Sequence, residues 1–189
     1  MNVTIFGKGN MATAIAKNFE AAGNVVNYVE HEMDATLDDV VVLAVPYPAV
    51  DDVISRYKEQ LDGKIVVDIT NPLNFETWDE LVVPADGSAA SEIQKKLPNS
   101  KVVKGFNTNF AGTLDSGKVG GDIPTVVLLA SDFADAKEQL ITALKDSPLT
   151  VVDAGSLKRA RELEAFGFLQ MTLAVKEEIT WAGGFGIVK

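Results

Sequence analysis

The first twelve residues constrain what this chain can fold into more than any other stretch. An apolar, largely β-branched run from Val3 to Phe6 leads directly into the segment from Gly7 to Ala12, after which a helical pattern begins. This order predicts a strand, a glycine turn and a helix start. In such a G-x-G-x-x-A turn, Gly7 permits the tight bend, Gly9 omits a Cβ where a pyrophosphate approaches the backbone, and Ala12 lets the helix lie close to the sheet. The pattern therefore predicts a dinucleotide-binding turn, with a merely structural turn as the alternative.

A second parallel strand follows the first helix and ends beside an acidic residue. The helix is predicted to end at Ala22-Gly23, and Val25 to Val29 forms the strand. In βαβ units of this kind, an acidic residue about 20 residues beyond the glycines holds the adenosine ribose hydroxyls. Glu30 lies at that position. The alternative is that Glu30 belongs to a solvated acidic edge of the protein.

The connection after Glu30 is unusually short. No amphipathic pattern of helix length lies between Glu30 and Asp39, and the buried strand at 40–45 begins directly afterwards. A doubly wound dinucleotide-binding fold usually has a helix and a third strand at this point. We therefore expect a sheet that is shortened after its second strand.

Alternating strand and helix patterns continue along the rest of the chain. Further strands are predicted at residues 64–69, 102–106, 125–130 and 149–153, and helices at 51–61, 89–97, 134–144 and 157–182. Ser88 and Asp132 are the predicted N-caps of the helices at 89–97 and 134–144. The expected fold is therefore α/β: a Rossmann-like, doubly wound parallel sheet with a C-terminal helical extension.

The C-terminal part of the chain carries apolar and glycine-rich features. An apolar stripe along the last helix is assigned to the core or to a homodimer interface, and its members are Leu163, Phe166, Leu169 and Leu173. The glycine-rich segments at 117–121 and 183–186 are flexible enough to close over a neighbouring site.

Composition narrows the class of protein. At 189 residues the chain is most simply a single domain, spanning residues 1–189. Its net charge of −10 disfavours binding to nucleic acid or to an anionic membrane surface. With no cysteine and one histidine, thiolate metal sites are excluded and a histidine-based zinc site is improbable, so we predict no metal. No signal-peptide or membrane-spanning pattern is present in the sequence, and a cytoplasmic location is expected.

Five segments together point to a family. Their combination resembles the NADP-dependent deazaflavin (coenzyme F420) oxidoreductases, a family that also includes the cytoplasmic reductase domains of the six-transmembrane epithelial antigen metalloreductases. The segments are residues 7–11, 43–47, 67–73, 103–108 and 153–155. The resemblance covers nearly the whole chain and implies a Rossmann domain with a small helical C-terminal extension. It also implies hydride transfer between NADPH and a flavin-like ring. The pyrroline-carboxylate reductases share a G-x-G-N-M turn, but their long helical dimer domain does not fit into 189 residues.

The resemblance also implies the positions that bind the cofactor. Residues along the pyrophosphate and the nicotinamide ribose would be Lys8, Gly9, Asn10 and Met11. Residues on the nicotinamide side would be Val45, Pro46, Tyr47, Ile69 and Asn71, with Asn107 and Thr108 nearby. No side chain is assigned as catalytic, because hydride transfer between two flat rings depends on proximity and orientation.

The cofactor preference is the point at which this chain departs from the family pattern. Family members commonly carry Ser-Arg after the second strand to hold the 2′-phosphate of NADP, whereas this chain has Glu30-His31 there. Glu30 favours NAD(H), because a carboxylate binds two free ribose hydroxyls and repels a phosphate. His31 with Lys8 would supply positive charge if Glu30 points outward. We favour NADP(H) on the breadth of the resemblance, with NAD(H) as the alternative.

Two functions are compatible with these features. The leading interpretation is an oxidoreductase that passes hydride between NADP(H) and a flavin- or deazaflavin-like acceptor, and the alternative is a nucleotide-sensing module without turnover. For the acceptor, Tyr47 and Phe110 are predicted to stack on a planar ring while Asn71 and Asn107 hydrogen-bond its carbonyl edge. The competing interpretation is that these asparagines only cap turns and the aromatic residues fill the core.

Overall fold

Seven strands form one sheet in the computed structural model, which describes residues 1–30 and 34–187. The strands of the sheet are β1 (Asn2–Phe6), β2 (Val25–Val29), β3 (Val40–Leu43), β4 (Ile65–Asp68), β5 (Lys101–Lys104), β8 (Val126–Ala130) and β9 (Thr150–Gly155). Two short strands, β6 (Lys118–Val119) and β7 (Ile123–Pro124), form a separate hairpin. The order in the large sheet is β2-β1-β3-β4-β5-β8-β9.

Helices cover both faces of this sheet. They are α1 (Asn10–Ala21), α2 (Val50–Leu61), α3 (Ala89–Lys96), α4 (Ala111–Ser116), α5 (Ala134–Ala143) and α6 (Ala160–Val175). Ile15 of α1 and Leu140 of α5 belong to the core on one face, and Ile54 of α2 and Ile93 of α3 belong to the core on the other. The central strands are therefore buried on both sides, which explains why they read as continuous apolar runs.

The predicted shortening of the sheet after its second strand is confirmed. β1 lies between β2 and β3 and is parallel to both, so β2 forms the edge of the sheet. The described part of the connection, residues 34–39, contains neither helix nor strand. It is held by Asp38, whose backbone N–H donates to Thr4 Oγ1 at 2.9 Å and whose Oδ2 accepts from Thr4 Oγ1 at 2.8 Å.

The other edge of the sheet changes direction. β8 and β9 are parallel to each other, but β8 is antiparallel to β5 through the pairing of Lys104 with Ala130. The sheet is therefore mostly parallel, and the α/β Rossmann-like fold with a C-terminal helix is as predicted.

The predicted helix ends are right at Ser88 and wrong at Asp132. Ser88 forms a capping box with Ser91, because each side-chain oxygen accepts a hydrogen bond from the other residue's backbone N–H. Asp132 does not cap α5, which is preceded by Phe133. The Asp132 carboxylate instead accepts a hydrogen bond from the backbone N–H of Leu157 at 3.0 Å.

The predicted long helix at 157–182 is shorter than expected. The helix α6 ends at Val175, and Glu177 then takes the left-handed conformation with φ of 61°. The chain folds back so that Trp181 packs against Phe110, at 4.8 Å between ring centroids. The helix α4 was not predicted at all. Within residues 1–30 and 34–187, no helix has the length and apolar character needed to cross a membrane.

Candidate active site

The first glycine of the turn has a structural role. Gly7 has φ of +95°, and its backbone N–H donates to Val29 O at 3.0 Å. A Cβ at this position would lie 2.5 Å from the carbonyl oxygen of Ala44. Both the backbone conformation and the close approach of the chain after β3 therefore require glycine.

The second glycine leaves open space. Gly9 has φ of −75°, which any residue adopts, and no heavy atom of the described residues lies within 4 Å of where its Cβ would be. In the described part of the chain, no side chain caps α1 and no acidic residue lies in its first turn. The N–H groups and the positive dipole end of α1 therefore remain available for an anion beside Gly9.

One cavity lies on the Gly7 side of the turn and is called the Glu30 cavity. Its volume is about 310 Å³. Its apolar lining comes mainly from Phe6, Val29, Val45, Pro46, Val53 and Tyr57. Three charged residues, Glu30, Asp52 and Arg56, also line it. A cavity whose walls are mostly apolar but include charged groups suits a flat aromatic base joined to a polar sugar.

Lys8 lies close to the carboxylate of Glu30. Lys8 Nζ is 3.3 Å from Glu30 Oε1, and more than half of each side chain is exposed. Lys8 Nζ also lies 5.9 Å from the centroid of the Tyr28 ring. The negative charge of Glu30 is therefore partly offset by a neighbouring ammonium. His31, the other residue predicted at this point, lies outside the described residues.

A second, larger cavity lies on the α1 side of the turn and is called the Asn107 cavity. Its volume is about 510 Å³. Its lining includes Asn10 and Met11, which were predicted beside the pyrophosphate and the nicotinamide ribose. It also includes Ile69 and Asn71, predicted for the nicotinamide side, and Asn107, predicted nearby. Val45 and Pro46, also predicted for the nicotinamide side, line the Glu30 cavity instead. Tyr47 packs beside the apolar core near α2, and Thr108 is buried with its carbonyl accepting from Gln170 Nε2 at 3.2 Å.

Two asparagines join the ends of β4 and β5. Asn71 Nδ2 donates to the carbonyl oxygen of Asn107, and Asn107 Nδ2 donates to Asn71 Oδ1, each at 2.9 Å. Asn107 Nδ2 also donates to the carbonyl oxygen of Leu163 on α6, at 2.9 Å. Asn107 Oδ1 is buried and has no hydrogen-bond partner among the described residues. A buried acceptor of this kind at a cavity is suited to a ligand's N–H group.

The turn that carries Asn107 is strained. Phe106 is fully buried and has φ of 62°, an unusual conformation for a bulky residue. Its neighbour Gly105 packs tightly, since a Cβ there would lie 2.6 Å from Leu129 Cδ2 and displace that side chain. The surrounding core thus fixes the direction in which the chain leaves β5, and strain of this type is concentrated at functional sites.

Residues from the C-terminal part of the chain complete the Asn107 cavity. Met171 of α6 and Trp181 line it together with Phe110. Trp181 is 53% exposed, whereas Phe110 is only 7% exposed because the two rings pack together. Trp181 therefore presents the open aromatic surface beside the cavity. No local pattern in the sequence marks this role, because the predicted helix at 157–182 includes Trp181.

A buried ionic cluster lies where β4, β5 and α6 meet. Lys104 Nζ is 2.9 Å from Asp68 Oδ2 and 2.8 Å from Glu164 Oε1, and all three side chains are buried. It also donates to the carbonyl oxygen of Thr70. Burial opposes the charge of Lys104, but Asp68 and Glu164 outweigh it and raise the pKa of the ammonium. Burial also raises the pKa of Glu164, whose carboxylate accepts from the backbone N–H of Ala89 at 2.8 Å.

This cluster explains why two of the recognised sequence segments contain charged residues at the ends of apolar strands. Asp68 and Lys104 end β4 and β5, directly before the turns that carry Asn71 and Asn107. Through Glu164 they connect these turns to α6 and to the start of α3. Both segments are recognisable in the sequence, but the ion pairs between them are not.

A mostly parallel, helix-covered sheet with a glycine turn between β1 and α1 places the chain in the class of Rossmann-type dinucleotide-binding folds. The family model for coenzyme F420-dependent NADP oxidoreductases matches residues 26–72. The chain is 32% identical to the F420-dependent NADP reductase of Methanocaldococcus jannaschii over 152 residues, which are 78% of this chain and 67% of that protein. The chain belongs to this family.

Further comparisons agree with that assignment. The human metalloreductase STEAP2 is 28% identical over 153 residues, which are 79% of this chain but 29% of STEAP2. The crystal structure of a candidate F420-dependent NADP reductase from Arthrobacter sp. FB24 superposes with a TM-score of 0.85 at 25% identity and covers 99% of both chains. An imine reductase from Myxococcus stipitatus, solved with NADP+, superposes with a TM-score of 0.66 at 17% identity over 94% of this chain and 63% of that one. This last likeness concerns the fold alone.

Proposed function

We propose that this chain is an oxidoreductase that binds NADP(H) across the glycine turn and passes hydride between its nicotinamide and a deazaflavin- or flavin-like acceptor. The observation that carries the proposal is the pair of cavities that reach the same turn. The Glu30 cavity meets it at Gly7, and the Asn107 cavity meets it at Asn10 and Met11. A dinucleotide has the same sequence of parts, with a pyrophosphate between two nucleosides. The family membership supports NADP(H) as the dinucleotide.

The turn itself fits a pyrophosphate. The open space at Gly9 and the uncapped first turn of α1 would accept its oxygens, with backbone N–H groups as donors. Local dipoles are needed for this purpose, because the net charge of −10 makes the global field of the protein unfavourable for an anion.

The Asn107 cavity fits the nicotinamide and the acceptor. Met11 and Ile69 provide apolar surface for a flat ring, and the unpartnered Asn107 Oδ1 would accept from the amide of the nicotinamide. When bound, the nicotinamide supplies the hydride. The chain holds the two rings in place and excludes water, with Trp181 and Met171 as the wall against which the acceptor would lie.

The preference for NADP(H) has opposing contributions in this chain. Glu30 opposes a 2′-phosphate, whereas Lys8 lies close enough to reduce that effect. The role of His31 as a phosphate ligand stays a prediction from the sequence, and so do the cytoplasmic location and the single-domain boundary at 1–189.

Oxidation of NADPH in the presence of a panel of acceptors tests the proposed function. The panel contains coenzyme F420, FMN, FAD and riboflavin, and turnover is followed through the near-ultraviolet absorbance of NADPH. We expect turnover with coenzyme F420 to exceed turnover with the flavins. If calorimetry shows that NADPH binds while no acceptor is reduced, the nucleotide-sensing alternative replaces this proposal.

A tryptophan variant tests where the acceptor lies. We expect Trp181→Ala to lower turnover at a subsaturating acceptor concentration by about tenfold and to leave NADPH affinity nearly unchanged, because stacking and water exclusion are lost on the acceptor side only. Trp78→Ala is the matched control, since Trp78 is also a partly exposed tryptophan but does not line the Asn107 cavity. Equal losses in turnover and NADPH affinity would place the acceptor elsewhere.

A further inference from the structure

The Glu30 cavity contains an arginine to which the sequence motifs assign no role. Arg56 lies on α2 and lines this cavity together with Glu30. We propose that Arg56 binds the 2′-phosphate of the adenosine ribose and thereby sets the preference of this chain for NADP(H) over NAD(H). The inference rests on the proposed function and identifies the group that distinguishes the two dinucleotides in the same site.

The position of Arg56 is well defined. Its guanidinium carbon lies 5.6 Å from the centroid of the Tyr57 ring, and the Tyr57 ring packs against Phe6 at 5.0 Å. Phe6 is the last residue of β1 and Tyr57 is buried, so the backbone that carries Arg56 is anchored on the strand that leads into the glycine turn. The guanidinium is therefore held at the cavity while its side chain stays 40% exposed.

A phosphate would replace the contact between Arg56 and Asp34 with little loss of free energy. Arg56 Nη2 lies 2.9 Å from Asp34 Oδ1, and the Asp34 side chain is fully exposed. An ion pair with an exposed carboxylate contributes little free energy. A phosphate carries more charge and presents oxygens that the guanidinium fork binds in a bidentate way.

The charges at the cavity make the phosphate site depend on Arg56. Glu30 and Asp52 both line the cavity and would repel a phosphate. Lys8 lies within 3.3 Å of Glu30 and offsets that carboxylate, which leaves Arg56 as the positive group among the described lining residues of the cavity. Lys8 and Arg56 together balance Glu30 and Asp52, so the loss of Arg56 would leave a net negative charge and make NAD(H) the preferred ligand.

Calorimetric titration of Arg56→Gln tests the inference with two pairs of probes: NADP+ with NAD+, and 2′,5′-ADP with 5′-AMP. We expect the affinity for NADP+ and 2′,5′-ADP to fall about tenfold or more, and the affinity for NAD+ and 5′-AMP to change less than about twofold. Arg56→Lys should retain part of the preference, because it keeps the charge and loses the fork. Lys58→Gln is the matched control, since Lys58 is an exposed cation two residues along α2 and therefore on another face.

The outcomes separate this inference from the proposed function. If the wild type binds NADP+ and Arg56→Gln leaves the ratio of NADP+ to NAD+ affinity unchanged, the assignment of Arg56 is wrong and the proposed function stands. An equal loss for both dinucleotides also overturns the assignment, since it would show a role in shaping the cavity. If the wild type binds neither dinucleotide, the proposed function is wrong and the inference fails with it. Circular dichroism of each variant verifies that the fold is retained.

Discussion

At the scale of single residues, Gly7 and Gly9 of the turn have different roles. Gly9→Val is expected to abolish dinucleotide binding while leaving the fold intact. A Cβ at Gly9 meets no described heavy atom within 4 Å, and the φ of −75° suits any residue, so the folded chain accepts valine. The valine side chain would then occupy the space that the pyrophosphate needs. Calorimetry with NADPH measures the binding, and unchanged affinity would contradict the assignment of the glycine turn.

Gly7→Ala is the contrasting variant and should affect the stability of the protein itself. Its φ of +95° and the 2.5 Å approach to Ala44 O both oppose a side chain. We expect a loss of about 1–3 kcal/mol in the free energy of unfolding, measured by urea denaturation. If Gly9→Val were as destabilising as Gly7→Ala, its loss of dinucleotide binding could result from unfolding and would no longer test the pyrophosphate site.

At the scale of elements, the buried cluster around Lys104 holds β4, β5, α3 and α6 together. Lys104→Met removes the cation and leaves the carboxylates of Asp68 and Glu164 buried without it. We expect the free energy of unfolding to fall by about 3–5 kcal/mol, because uncompensated buried charge is costly. Urea denaturation, followed by tryptophan fluorescence and by circular dichroism, measures this change.

Lys101→Met provides the control on the same strand. Lys101 pairs with Asp135, but both side chains are partly exposed, so we expect its loss to cost less than about 1 kcal/mol. Equal effects of the two substitutions would show that the Lys104 cluster contributes no more than a surface pair. A loss of NADPH affinity in folded Lys104→Met would further show that the cluster positions the turns that carry Asn71 and Asn107.

At the scale of the whole molecule, the apolar stripe predicted on the last helix is divided between different surroundings. Leu163 is buried, Phe166 packs against Phe185 at 4.8 Å between ring centroids, and Leu169 is 51% exposed. Val175, the last residue of α6, is 50% exposed. Leu163 therefore belongs to the core, as one of the two interpretations predicts. A homodimer interface stays a proposal for the outer face of α6.

Sedimentation velocity tests that homodimer. We expect the wild type to sediment as a dimer and Leu169→Glu to shift the population towards monomer, because a charge would be buried at the interface. Val82→Glu is the control, since Val82 has the same 51% exposure and lies outside α6. A monomeric wild type would contradict the proposal, and so would a dimer that both substitutions leave unchanged.

Local patterns predicted most of the elements of this fold. The strand, glycine turn and helix at the start of the chain, the capping of α3 at Ser88 and the shortened connection after Glu30 all follow from short stretches of sequence. The C-terminal helix was predicted seven residues too long, at 182 rather than Val175, because apolar and helix-forming residues continue past its end. Nothing local marks the point at which Glu177 turns the chain back.

The site shows the same division between local and long-range information. The sequence alone determined the turn at Gly7 and Gly9 and the strand ends that carry Asn71 and Asn107, because backbone conformation and apolar periodicity depend on near neighbours. Only the tertiary structure decided that Arg56 lines the same cavity as Glu30, that Trp181 covers Phe110 and that Glu164 meets Lys104. These pairs are far apart in the chain and have no common spacing or pattern. They meet because the order of the strands and the return of the chain after α6 bring their elements together.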